Sequence, residues 1–370
     1  MKVENQKTAR IFGLDFVRAT AISFVLFSHL YYVAGIQNPL LISFSGLFGY
    51  AGVELFFVLS GFLIGGILLR MFQKDTVTVS DVFIFFKRRW FRTLPLYYLA
   101  LLLNVFLAVW LGYSKEGLWR YFLFIQNFNK NAITIFPESW SLSVEEWTYL
   151  LMPSLLFLGW KIFRRNIKLG FLLVCLLVVV LSHLLRYGYL LSGRTSDMLV
   201  WNTDFKAIVV LRFDAIVMGF LVAWMHFYYK EILKKIAVYL FIVSAHLFVL
   251  QFVVLNLMGV DILSSAVYFH VFYFTLSSLT FAFALPFFAF WTASDNFFGR
   301  FITFLSKISY AVYLVHYSIM SVVFKFFTDT FALKLPTAVL VVVYLFVTLS
   351  VSFLLYRFYE KPMMALRDKF

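Results

Sequence analysis

The sequence predicts an all-α integral membrane protein: a bundle of about ten transmembrane helices with both termini in the cytoplasm. Three observations carry this. Apolar residues make up 63% of the 370, whereas a soluble globular chain is closer to half apolar. Apolar runs of about 20 residues, the length that crosses a bilayer as a helix, recur along the whole chain. The 32 Lys and Arg are unevenly shared. With the amino terminus inside, 21 fall on the cytoplasmic side, 8 on the outer side, and Arg18, Arg92 and Arg212 within segments. That is positive-inside bias. It accounts for most of the formal net charge of +14, so the charge implies a lipid bilayer as partner and no nucleic acid.

The ten segments are Phe12–Val33, Phe44–Met71, Arg89–Tyr113, Ser139–Trp160, Leu169–Leu191, Phe205–Tyr228, Ile236–Met258, Val267–Thr292, Phe304–Phe327 and Leu335–Tyr359. Nothing like a small-residue cleavage site follows the short basic stretch before Ile11, so the first segment reads as a retained helix, not a signal peptide. The single Cys175 lies in an apolar run and excludes a disulfide within the chain. No spacing suits a metal, a phosphate-cradling glycine loop or a Gly-x-Ser-x-Gly elbow. With no linker visible, residues 1–370 read as one membrane domain.

The first segment carries Asp15, Arg18 and His29. Arg18 and His29 are eleven positions apart, about three turns, so they leave one helical face roughly 16 Å apart along the axis. Either alone is explained by snorkelling or packing; together on one face they imply a shared cavity. Glu54 in the second segment needs a partner or a proton. Contact with His29 is one expectation, a tie between two helices the other. Arg89 and Arg92, three apart on one face, either anchor the helix among headgroups or hold phosphates with their forks.

The outer loop 114–138 contains GLWRYFLFIQNF, which suits a short helix on the outer surface. In the fourth segment Ser139, Ser143 and Glu146 share one face, and Ser141 and Glu145 another. The plain reading of these acids is a polar helix start. Arg212 and Asp214 lie in the sixth segment, and Ser309, Tyr313 and His316 on one face of the ninth. His183, His226, His246 and His270 read as packing or interface residues. Gly52, Gly61, Gly65 and Gly66 read as sites of close helix approach.

Seven stretches in order, GLDFVRATAISFVLFSHL, GVELFFVLSGFLIG, FKRRWFRTLPLYY, SWSLSVEEWTYLLMP, RFDAIVMG, ISYAVYLVH and YEKP, resemble the membrane-bound acyltransferase family three. This group contains O-acetyltransferases of bacterial surface polysaccharides. The family's first-helix Arg and His fall on Arg18 and His29, its paired arginines on Arg89 and Arg92, and its Ser-x-x-x-Glu on Ser141 and Glu145. Relatives usually continue with Gln-Phe-Tyr where this chain has Trp147-Thr148-Tyr149. Many carry a fused extracytoplasmic domain, for which this chain leaves no room.

The resemblance implies acyl, most simply acetyl, transfer from cytoplasmic acetyl-CoA to a hydroxyl of a surface polysaccharide such as lipopolysaccharide O-antigen, in a bacterial inner membrane. It implies no metal. His29 would be general base or transient acyl carrier, oriented by Glu54 or Glu145. Arg18, Arg89 and Arg92 would hold the donor. Ser141, Glu146, Arg212, Tyr313 and His316 would meet the substrate, and the carbohydrate would enter from the outer face. A homo-oligomer stays open. The competing readings are a proton-coupled transporter, which predicts inverted repeats that are not seen, and a polysaccharide-export component.

Overall fold

The computed structural model describes residues 10–195, 197–292, 296–331 and 335–367. Lys2, Lys7, Lys334 and Lys369 of the charge tally lie outside the described residues. Those described form helices and connecting turns without a strand. Eight helices are long and apolar enough to cross a membrane: α1 (Phe12–Ala34), α2 (Pro39–Phe72), α3 (Val79–Trp110), α6 (Ile167–Leu191), α9 (Lys230–Leu257), α10 (Tyr268–Ala289), α11 (Phe297–Thr330) and α12 (Thr337–Leu366). The shorter or more polar ones are α4 (Trp119–Phe122), α5 (Ser139–Ile162), α7 (Met198–Thr203) and α8 (Phe213–Tyr228).

Eight spans of this kind, where ten segments were expected, follow from two elements. α5 has 24 residues, but its first half spends apolar length on Ser139, Ser141, Ser143, Glu145 and Glu146. α8 has 16 residues, short of the roughly 20 a crossing needs, because Phe205–Ala207 and Val209–Leu211 are 3₁₀ turns. Both are wrapped by the longer helices.

α3 begins ten residues ahead of the expected start at Arg89. Its amino end is amphipathic, so an apolar-run criterion misses it. A capping box defines it: Thr78 Oγ1 accepts from Asp81 N, and Asp81 accepts from Thr78 N. Arg89 therefore sits about 15 Å inside a helix.

Glycine sets the spacing of the core. A Cβ on Gly61 of α2 would sit 1.9 Å from the Ile216 carbonyl oxygen of α8, and one on Gly219 would sit 2.1 Å from that of Val58. The two backbones touch, so side chains on either side are pressed into contact. Gly52 makes the same approach to α1, at Ala21 O. Gly66 does not share this role, since a Cβ there would meet only the Arg70 side chain at 3.7 Å.

The expected short helix in the loop before α5 is the single turn α4, with Trp119 and Phe122 exposed, after which the chain turns inward. Phe124 takes a left-handed φ of 57°, rare for a bulky residue. Its ring stacks on Tyr97 at 4.3 Å, and its carbonyl accepts from Trp147 Nε1. This turn sends Gln126 and Asn127 into the core. Gln126 Nε2 donates to Ser139 and Ser143, and Asn127 Nδ2 to the carbonyls of Trp140 and Ala207.

Candidate functional site

A cavity of about 1550 Å³ opens at the Arg10 end of α1. The carboxyl end of α2, the first turns of α3, and parts of α5, α11 and α12 complete its wall. Ten cationic side chains line it against four carboxylates, Asp15, Asp81, Glu145 and Glu360. The surplus gives the cavity a positive potential, which favours anions. Exposed Arg70, Lys74, Arg88 and Lys307 ring the opening. Their grouping agrees with the expected sharing of one membrane side by these connections.

Further in, Arg18 and Arg89 are only 20% and 15% exposed, and each is held in place. Arg18 Nη1 donates to Ser306 Oγ at 3.2 Å and lies 3.6 Å from Asp15. Asp15 also accepts from Ser306 and Arg10. Arg89 lies over the Tyr149 ring at 4.1 Å and 3.7 Å from Glu145 Oε2. Its buried Nε has no hydrogen-bond partner among the described residues. Arg92, one turn on, is exposed and lines the same cavity. His226 lines it too, although the sequence suggested only packing.

The cavity narrows to buried Ser141 of α5 and Tyr313 of α11. Ser141 Oγ and Tyr313 OH are 2.5 Å apart, and Tyr313 OH donates to the Glu138 carbonyl at 3.1 Å. Glu138 is pinned in turn: Oε1 accepts from Ser318 N and Oγ. Burial pushes its carboxyl up to about 7.

One turn beyond Tyr313, at the π-helical turn His316–Ser321, stands a histidine pair. His316 Nε2 and His29 Nδ1 are 3.2 Å apart. His316 Nδ1 lies 2.9 Å from the Tyr313 carbonyl, and His29 Nδ1 lies 2.9 Å from the Val25 carbonyl. A carbonyl only accepts, so both Nδ1 atoms carry the hydrogen. The one Nδ1 hydrogen of His29 is then shared between the Val25 carbonyl and His316 Nε2, and His29 Nε2 is left with its lone pair available. Tyr344 OH donates to the His316 carbonyl at 2.5 Å and holds this turn. His29 does not line the basic cavity, but Tyr313, whose ring is 5.9 Å from that of His316, does.

Several expected placements are corrected by these contacts. Glu54 does not meet His29. It forms a sealed ion pair with Arg212, both side chains fully buried, and its Oε2 accepts from Ser278. The Gly61 approach holds that part of α2 against α8. Arg212 consequently faces Glu54 and the Phe274 ring at 4.0 Å, not a substrate space. Glu145 lies at Arg89 and accepts from Ser60 at 3.1 Å, far from the imidazole it was expected to orient. Glu146 points to α3, where it accepts from Thr93 at 2.9 Å, and is a brace between helices. His316 meets His29 rather than the cavity. His183, His246 and His270 each bond the carbonyl four residues back, as packing histidines do. Among the described residues no group of three His, Cys, Asp or Glu suits a metal ion.

The family model described as an acyltransferase domain matches residues 11–357. Among curated proteins, the O-acetyltransferase OatA of Staphylococcus aureus strain NCTC 8325 / PS 47 is 26% identical over 376 residues, covering 95% of this chain and 56% of that protein. OatA of strains COL and MRSA252 gives the same identity and coverage. The chain thus spans little more than half the length of these relatives. No solved structure matches.

Proposed function

The chain belongs to the acyltransferase family three, and on that footing we propose that it transfers an acetyl group from acetyl-CoA to a hydroxyl of a surface carbohydrate across the bacterial inner membrane. The observation that carries this reading is a pair of sites linked through Tyr313, which lines the cavity and neighbours His316. One is a basic cavity, the other a histidine with a usable Nε2. The cavity suits an acyl-CoA. Arginine forks match its phosphates, and 1550 Å³ exceeds the 300–1,000 Å³ of ordinary ligand pockets. Positive-inside bias supports a cytoplasmic opening, the side on which acyl-CoA is made.

In this reading Arg89 and Arg92 bind phosphate oxygens, and the unpartnered Arg89 Nε contributes a donor. Arg18, held by Ser306, lies along the route of the pantetheine arm. Tyr313 and Ser141 open to admit the thioester. His29 Nε2 takes the proton of the acceptor hydroxyl as its oxygen bonds to the acyl carbon, then returns it to the departing thiolate sulfur. The C–S bond breaks, an ester forms, and CoA leaves as the thiol. His316 is a positioning residue: by accepting from His29 Nδ1 it keeps the proton off Nε2. The likeness to O-acetyltransferases supports O-acetyl transfer, and the O-antigen of lipopolysaccharide is one acceptor to assay.

The test is acceptor-dependent release of CoA thiol by the purified protein. His29→Ala is expected to reduce it by about 10²–10⁴-fold while donor affinity stays the same. Wild-type release from His29→Ala would refute the assignment.

A further inference from the structure

YEKP, the last of the seven stretches, has no part in the transfer chemistry, yet it reaches the basic cavity. Its Glu360 ends the π-helical turn Tyr356–Glu360 of α12, a distortion common at functional sites. Tyr356, Glu360, Met364 and Arg367 recur at helical spacing, and all four line the cavity. They form one face of the helix. The last turns of α12 pack against α3, the helix that carries Arg89 and Arg92. Glu360 is only 3% exposed. Its buried Oε2 has no hydrogen-bond partner among the described residues. The other three carboxylates of the cavity are held: Asp15 by Arg10 and Ser306, Asp81 by Thr78 and Lys74, Glu145 by Ser60. Arg92 lines the same cavity, but among the described residues no ion pair within 4 Å joins it to Glu360.

We propose that Glu360 reads the base of the donor nucleotide, its carboxylate accepting from the exocyclic amino group of adenine. The inference rests on the acyl-CoA reading above and adds what selects the nucleotide. A carboxylate in a phosphate site repels the ligand that the arginines attract. A brace between helices would offset that cost through a partner, and Glu360 Oε2 has none. A donor group on the ligand offsets it instead. An acyl-CoA carries few such groups: the adenine amino group, a ribose hydroxyl, and the amides and hydroxyl of the pantetheine arm. Position separates them. The thioester goes to the narrow end at Ser141 and Tyr313, so the arm fills that half and the nucleotide the other, along α3 and the last turns of α12. Half-buried Tyr356 and Met364, one turn to either side of Glu360, offer aromatic and thioether surface that suits a flat base better than a sugar. A site built to bond an N–H group rejects the analogue that lacks it, because its own polar atom is then left unpaired.

The test is calorimetry of the full chain in phosphatidylcholine nanodiscs. The ligands are CoA, its hypoxanthine analogue, in which a carbonyl replaces the amino group, and 2′-deoxy-CoA. The readout is the ratio of affinities. The wild type should bind CoA about tenfold or more tighter than the hypoxanthine analogue, the worth of a hydrogen bond to a charged group. It should bind 2′-deoxy-CoA as it binds CoA. Glu360→Gln should bring the hypoxanthine ratio toward one, because its amide can donate to the carbonyl. A residue that only braces α12 would shift both affinities together and leave their ratio unchanged. The wild-type ratio needs no variant, so the test survives a Glu360→Gln chain that fails to fold. A wild-type ratio near one, a loss with 2′-deoxy-CoA but not with the hypoxanthine analogue, or a ratio that Glu360→Gln leaves unchanged overturns the base contact. Each leaves the donor reading standing, since CoA still binds. No binding of any of the three, together with no thiol release from acetyl-CoA, overturns both.

Discussion

The bundle places its inner arginines in two ways. Arg212 and Arg186 have no exposed side-chain surface, and each faces a carboxylate that is equally sealed, Glu54 and Asp214. Arg186 Nη2 reaches Asp214 at 2.8 Å and Thr275 at 2.7 Å. Arg18, Arg89 and Arg92 instead share a cavity where cations outnumber acids. The first set balances its own charge, although Arg186 Nη1 and Arg212 Nε and Nη1 have no hydrogen-bond partner among the described residues. The second set is left with charge to spend on a ligand. Residue type and depth in the helix do not separate the two sets; partners do.

The largest expected effect breaks a sealed pair. Glu54→Ala or Arg212→Ala leaves an uncompensated charge in the bundle and should cost about 3–5 kcal/mol of stability, read as thermal unfolding in detergent. A double Glu54→Leu, Arg212→Met variant should recover most of it, because no charge is then stranded. If Arg212→Ala unfolds at the wild-type temperature and only loses turnover, the two sets are not different.

Next in size is the open set. Arg89→Ala and Arg92→Ala should keep wild-type stability and lose about 10–100-fold in affinity for CoA, the worth of a charge-assisted phosphate contact. Arg→Lys should recover little, since an ammonium cannot replace the fork. Calorimetry with CoA decides this, and unchanged affinity in both alanine variants would make these arginines membrane anchors.

Much of this division was hidden in the sequence for a definable reason. Periodicity along one helix is legible: the Arg18–His29 face, the Arg89–Arg92 face, and the Ser309, Tyr313 and His316 face all survive in the structure. What a face meets depends on how neighbouring helices are rotated, and here glycine contacts set that rotation. Glu54 could be seen as needing a partner, yet the choice of Arg212 over His29 follows from the closeness of Gly61 and Gly219. The same limit hid the His29–His316 bond across 287 residues, and the tether of Arg18 to Ser306. Hydropathy alone also gave up the amphipathic first turns of α3, which is why Arg89 was placed at a helix end.

A further effect concerns Glu138, whose backbone carbonyl accepts from Tyr313. Glu138 has its carboxyl raised from 4.5 to about 7 by burial. A group raised on folding adds stability below its unfolded value, and that stability is lost as pH climbs through the folded value. Stability, and with it the unfolding temperature, should therefore fall between pH 4.5 and 7 and level off above, by an amount on the order of 3 kcal/mol. Glu138→Gln keeps an acceptor for Ser318 and should flatten this part of the curve. An identical curve for the variant would assign the pH dependence elsewhere.

The central claim is that the basic cavity and His29 serve one reaction from two sides. A structure of the His29→Ala variant with bound acetyl-CoA tests it most directly. The account predicts phosphates at Arg89 and Arg92, displacement of the Tyr313 side chain from Ser141, and the thioester carbonyl beside the vacated His29 position. A nucleotide on the Tyr32–Lys325 side of the bundle, or a thioester turned away from α1, would contradict it.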